Sequence, residues 1–153
     1  MHKSCMPVVA KVALLFYNYN IGNKIMYKKT ILVAAADSNI VELLKINFMQ
    51  NGYKVIVAYN GDSAYKKIIE QSPGLVILDT LMPQINALIS YLETKDEKED
   101  KHIPLLVVID DSEMKQLLNK IKVAAWINKL FDIAVLLKTV KQIYFNNGVN
   151  ENL

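Results

Sequence analysis

The sequence predicts an open α/β domain, a parallel sheet with helices on both faces. From Thr30 onward, apolar runs of five or six residues alternate with segments of helical period. The runs are continuous rather than alternating, as strands buried on both faces require. Five such units follow one another, and 153 residues with 52% hydrophobic content suit one domain around a single core.

Ile31-Leu32-Val33-Ala34-Ala35 is the first strand. Ser38 or Asp37 caps the helix after it, whose apolar positions are Ile40, Leu43, Leu44 and Phe48, and Asn51-Gly52 stops that helix. Val55–Ala58 is the second strand; Asn60-Gly61-Asp62 opens a short helix carrying Ala64, Tyr65, Ile68 and Ile69, closed by Ser72-Pro73-Gly74. Leu75-Val76-Ile77-Leu78-Asp79 is the third strand and ends on a carboxylate. After Met82-Pro83, Ile85, Leu88, Ile89 and Leu92 fall on one helical face. Glu93 to Lys101 is a mixed charge run, read as a solvated helix end and loop. Ile103-Pro104 introduces the fourth strand, Leu105–Ile109, and Met114, Leu117, Leu118 and Ile121 mark a fourth helix. Val123–Ile127 is the fifth strand, and the last helix sets Ile133, Leu136, Leu137, Val140 and Tyr144 on one side. The domain is thus expected over residues 28–146, with 147–153 a polar, flexible tail.

The formal charge of +3 is unevenly placed, because residues 1–29 hold Lys3, Lys11, Lys24, Lys28 and Lys29 and no acid. Every basic residue is lysine, so the bidentate arginine contacts that commonly read guanine are absent, and nucleic acid is not the expected partner. The single cysteine, Cys5, rules out an intramolecular disulfide, and with His2 and His102 it matches no zinc spacing, so a reducing, cytoplasmic setting is expected. The apolar run Val8–Tyr17 contains Lys11 and falls well short of the ~20 residues a membrane-spanning helix needs, so no membrane association is expected. Asn18-Tyr19-Asn20-Ile21 follows it where a signal peptide would show small residues. Met26, succeeded at once by Tyr27-Lys28-Lys29-Thr30 and a strand pattern, is a candidate start, which would make residues 1–25 a non-native leader or a flexible extension; the leader or extension is accordingly set at residues 1–27, ahead of the domain.

In open α/β sheets, sites form outside the carboxyl ends of the strands, where strand order reverses. That directs attention to Ala35-Ala36-Asp37, Asp79, Ile109-Asp110-Asp111 and Asn128-Lys129. Here the chain resembles the response-regulator receiver family, the phosphorylated module of two-component signalling. The resemblance runs from about Lys28 to Tyr144 and rests on the first strand with the turn at 37–39, Asn51-Gly52-Tyr53, Tyr59-Asn60-Gly61, LVILD with Met82-Pro83, Ile103-Pro104, and Lys129-Leu130-Phe131. It implies a flavodoxin-like (βα)5 fold with a doubly wound, five-stranded parallel sheet.

By this resemblance Asp79 matches the aspartate that accepts the phosphoryl group and Lys129 the lysine that contacts it. The acidic pair that holds Mg²⁺ falls on Ala35 and Ala36, with Asp37 at a less critical third position. The switch hydroxyl falls on Ile109, the aromatic switch position on Trp126, and Leu130 replaces the proline that usually follows the lysine. Phosphoryl transfer to a carboxylate relies on a cation to neutralise spreading charge, and Mg²⁺ needs oxygen ligands these alanines cannot supply. The expectation is therefore a receiver whose Mg²⁺ site is lost, with Asp79 and Lys129 resting as a salt bridge. Asp110 and Asp111 read as first-turn acids of the fourth helix, Trp126 as a packed aromatic, and both histidines as solvent-exposed.

Two functions compete. One is a non-enzymatic pseudo-receiver that meets a protein partner, a histidine kinase or another signalling protein, through the fourth helix, fifth strand and fifth helix, where Lys115, Lys120, Lys122, Lys138 and Lys141 would suit an acidic surface. The other is an active phosphoacceptor, taking a phosphoryl group from a histidine kinase on Asp79. A nucleotide- or flavin-binding reading fails because Gly22, Gly52, Gly61, Gly74 and Gly148 are all isolated and no phosphate loop follows a strand.

Overall fold

The structure, a computed structural model, describes residues 7–10, 12, 29–94, 103–110, 119 and 121–146. Each apolar run of the sequence becomes a strand because its side chains on both faces find cover. The strands are β1 (Thr30–Ala34), β2 (Lys54–Ala58), β3 (Leu75–Asp79), β4 (Leu105–Ile109) and β5 (Ala125–Asn128). They form one sheet in the order β2-β1-β3-β4-β5, every neighbouring pair parallel, which is the flavodoxin-like arrangement. β1, β3 and β4 are buried along their whole length, as central strands must be, whereas β2 and β5 lie at the edges and are only partly covered. Lys67 donates from its ammonium to the carbonyl of Val57, blunting the exposed β2 edge with a charge.

Four described helices cover the sheet: α1 (Ser38–Gln50), α2 (Gly61–Gln71), α3 (Ile85–Thr94) and α4 (Ile133–Tyr144). α1 and α4 share one face, where Val41, Leu44, Phe48, Leu136, Val140 and Ile143 close over Ile31, Val33, Ile77 and Val108. α2 and α3 share the other, where Ala64, Ile68, Leu88 and Ile89 meet Leu32, Leu78 and Val107. Odd and even positions of each strand thus feed two separate cores. The aromatic seam Phe48–Tyr53–Tyr144 ties α1 to α4: Tyr53 stacks on Tyr144 at 5.4 Å between centroids, and the Tyr144 hydroxyl donates to the carbonyl of Thr30.

Asp37, not Ser38, is the N-cap of α1: its carboxylate accepts from the backbone N–H groups of Asn39 and Ile40. Asn60 caps α2 through Ser63, and Asp132 caps α4 through Ala134. Three helical positions expected in the core are exposed instead, Leu43, Tyr65 and Ile69, because each sits one step round from the line that meets the sheet. Val123 is partly buried against the α2–α3 core but precedes β5, whose ladder with β4 begins at the pair Leu106 and Ala125. Ile121 is buried but lies in irregular backbone; most of the helix expected around it, including Met114, Leu117 and Leu118, falls outside the described residues. So do His2, His102, Asp111, most of residues 1–27 and the tail 147–153. Among the described residues no helix is long and apolar enough to cross a membrane.

Candidate functional site at the carboxyl ends of the strands

Strand order reverses between β1 and β3, so the chain leaves these neighbours in opposite directions and opens a crevice at their carboxyl ends. Asp79, the last residue of β3, stands there and is buried. One carboxylate oxygen, Oδ1, accepts the backbone N–H of Leu81 at 2.9 Å, an Asx-type turn closed by the loop that leaves the strand. The other, Oδ2, lies 3.4 Å from the Nζ of Lys129, with side-chain exposures of 7% for Asp79 and 23% for Lys129. Lys129 follows β5, and its backbone N–H donates to the carbonyl of Ile109 at 2.7 Å, so the ends of β4 and β5 fix the base of its side chain. The two charged residues matched by the sequence resemblance are thus brought together as an ion pair.

The other positions matched by the resemblance are packed into the cores, engaged elsewhere or exposed. Ala35 continues β1, donates its N–H to Ala58 and packs into the α1–α4 core. Ala36 is exposed, and the carboxylate of Asp37 is occupied in capping α1. Ile109 is buried among Leu78, Met82 and Val107 in the α2–α3 core. Asp110 is exposed. Trp126 departs from the expectation of a packed aromatic: it is 44% exposed. β5 is an edge strand, and while Ala125 and Ile127 face the α4 side, the alternation turns Trp126 to the opposite face.

Three features of the site escape sequence reasoning. The first is Thr80, which is buried and bonds the carbonyl of Val108 through both its hydroxyl and its N–H, locking the end of β3 to β4. The second is a close backbone approach. Gly61 donates to the carbonyl of Pro83, and a Cβ at Gly61 would lie 1.8 Å from the carbonyl oxygen of Gln84, which itself adopts a φ of 57°. The loop that caps Asp79 is therefore clamped against the start of α2. Asn60-Gly61 signals a helix start in the sequence, but only the fold reveals what the glycine must clear. The third is Leu130, fully exposed with a φ of 68° in the left-handed region, where a leucine is strained. The change from the usual proline was visible; the conformation was not.

Comparison with known proteins agrees with this geometry. Residues 31–141 match the family described as the response regulator receiver domain. The alkaline phosphatase synthesis transcriptional regulatory protein PhoP of Bacillus subtilis is 34% identical over 97 residues, covering 54% of this chain and 40% of that protein. The response regulator GtcR of Aneurinibacillus migulanus is 30% identical over 96 residues, again 54% of this chain and 40% of the relative. The matched part thus spans well under half the length of these relatives. Among solved structures, the receiver domain of the Francisella response regulator 1452 is 26% identical with a TM-score of 0.65, covering 76% of this chain and 97% of that one. The signal receiver domain of a response regulator from Bermanella marisrubri shares the fold with a TM-score of 0.66 at 24% identity, over 75% of this chain and 97% of its own. The strand order, the acid–lysine pair at the reversal point and the family match across residues 31–141 lead to one conclusion: the chain belongs to the response regulator receiver domains of two-component signalling.

Proposed function

We propose that this receiver domain is a pseudo-receiver, a non-enzymatic module that acts by binding protein partners rather than by accepting a phosphoryl group. The observation that carries the reading is the state of the one carboxylate at the site. Both oxygens of Asp79 are already engaged, one by the N–H of Leu81 and one by Lys129. A Mg²⁺ ion there would need further oxygen ligands in near-octahedral array. Ala35 and Ala36 offer none, and the carboxylate of Asp37 serves as a helix cap. Among the described residues no group of three or more His, Cys, Asp or Glu side chains converges. This donor set does not fit a magnesium ion. Without a cation, an incoming phosphoryl dianion would meet Asp79 with Lys129 alone to offset its charge.

Ile109 supports the same reading. A hydroxyl at this place could reward movement of the following loop by bonding a phosphoryl oxygen; an isoleucine packed into the core cannot. The partner is a protein, either a histidine kinase or another signalling protein, in a cytoplasmic setting. The proposed contact face comprises the segment around residues 114–121, β5 and α4. Lys122, Lys138 and Lys141 are exposed there and favour an acidic partner surface; Lys115 and Lys120 lie outside the described residues.

The retained Asp79–Lys129 pair is the one observation that favours an active phosphoacceptor instead. Intact mass after incubation with Mg²⁺ and a small-molecule phosphodonor separates the two, with Asp79→Asn and an ordinary receiver as controls. The pseudo-receiver reading predicts no adduct while the ordinary receiver labels. An adduct lost in Asp79→Asn would overturn it.

A further inference from the structure

Helix α1 is apolar on two opposite sides. Val41, Leu44 and Phe48 face the core, while Leu43, Ile46 and Met49 run along the outside and are 50%, 48% and 57% exposed. At 100° per residue, the outer line lies directly across the helix axis from the buried one. Asn39, Glu42 and Gln50 share that outer side, so it is a mixed surface along which three half-exposed apolar side chains stand in line. Leu43 was expected in the core and is instead the first residue of this line.

The chain carries a second uncovered apolar surface. Val8 and Val9, in a short helical turn, are exposed, as is Val12. The route between the two surfaces is short. The backbone enters the domain at Lys29, whose carbonyl accepts the N–H of Lys54, immediately beside the turn where Gly52 and Tyr53 bond back to Met49 and Phe48. The upstream segment thus joins the fold at the Met49 end of the outer line. Helix α1, with 13 residues, is about 20 Å long. The connection 13–28 can extend to roughly 50 Å, so every point on α1 is within reach. Charge agrees: residues 1–29 contain five lysines and no acid, and α1 ends without a basic residue to offset the negative end of its dipole.

We propose that the N-terminal segment, through Val8, Val9 and Val12, docks on the outer line of α1 formed by Leu43, Ile46 and Met49. The contact is intramolecular. Tethering sets the effective concentration of the segment on the order of millimolar, which makes a small apolar contact sufficient. A second copy of the chain does not enjoy that advantage, and three half-exposed side chains fall far short of the ~800 Å² per partner of a stable protein interface. This surface is separate from Asp79, so the inference stands or falls independently of the phosphodonor result.

Cys5 is the sole cysteine and lies next to the segment, which gives a direct test on the full chain. A second cysteine is introduced at either end of the outer line, Glu42→Cys or Gln50→Cys, or on the opposite face of the domain, Lys66→Cys. A short bismaleimide then reports proximity to Cys5. The expected result is a monomeric cross-link in at least one α1 variant, formed roughly ten-fold faster than in Lys66→Cys and independent of protein concentration. Adding Val9→Asp should bring that rate down to the Lys66→Cys level. Equal rates for all three positions, or a fast rate indifferent to Val9→Asp, would overturn the proposal. Cross-linked dimers whose yield rises with concentration would also overturn it and assign the α1 face to a second copy.

Discussion

Replacing Lys129 by methionine keeps the aliphatic stem and removes only the charge that faces Asp79. Asp79 would then be an almost fully buried carboxylate held by a single N–H, that of Leu81. Breaking a fully buried pair by deleting one partner costs roughly 3–5 kcal/mol. Here the ammonium is 23% exposed and 3.4 Å from the carboxylate, so solvent screens part of the interaction and about 1–2 kcal/mol is expected. The reverse deletion is milder. Asn in place of Asp79 still accepts from Leu81, and the freed ammonium of Lys129 can turn to water, so Asp79→Asn should cost less than about 1 kcal/mol. The double variant should cost little more than Asp79→Asn alone, because the stranded charge is gone. Urea unfolding of the four proteins closes a double-mutant cycle with an expected coupling of about 1 kcal/mol. For a domain of this size the Lys129→Met loss corresponds to roughly 2–8 °C in Tm. A coupling within about 0.3 kcal/mol of zero, or a larger loss for Asp79→Asn than for Lys129→Met, would refute the view of a resting salt bridge.

Gly61→Ala drives a methyl group into the backbone of Gln84 and should destabilise by about 1–3 kcal/mol; hydrogen exchange at the Leu81 amide should quicken as the loop after Asp79 is displaced. Leu130→Asn relieves a strained left-handed residue that makes no use of its side chain in the fold, and thermal unfolding should show a gain of about 0.5–1 kcal/mol; a loss would mean that the leucine packs on something in solution. Tyr144 is held protonated by burial and then by the neighbouring Tyr53, well above the ordinary value of 10.0. Above that pH the unfolded chain releases a proton that the folded chain keeps, so stability is full below about pH 10 and falls at higher pH with a slope near 1.4 kcal/mol per unit. Tyr144→Phe should flatten most of that slope, and denaturant titrations between pH 9 and pH 11 check it.

Most of the strand framework was legible because a strand buried on both faces has a plain signature, an unbroken apolar run, as in Ile31–Ala34 and Leu105–Ile109. The pairing of Asp79 with Lys129 was legible by resemblance, since the two lie fifty positions apart and nothing local links them. What escaped depends on where neighbours happen to be. Leu43, Tyr65 and Ile69 satisfy a helical period yet face outward, because the period marks a possible apolar side and not which side meets a sheet. Trp126 stays 44% exposed on an edge strand, a property of strand order rather than of the residues around it. The Gly61–Gln84 approach joins two loops that only the packing of α2 beside α3 brings together.

On the proposed reading the residues at the site make physical sense as a set. A cluster of three carboxylates at the end of a buried sheet is tolerable when a divalent cation binds them; with no cation, each added acid would raise the energy of the others. Alanines at 35 and 36 add no charge to the crevice, and Asp79 is balanced by one lysine and one N–H. Ala35 packs into the α1–α4 core and Ile109 into the α2–α3 core. An aspartate at position 35 would now place a charge among Val33, Val41 and Ile77, and a hydroxyl at position 109 would leave a gap beside Leu78 and Met82. In the proposed reading a metal-dependent switch is therefore exchanged for positions packed into the two cores. That exchange suits a protein whose surface, rather than its phosphorylation state, is what partners recognise.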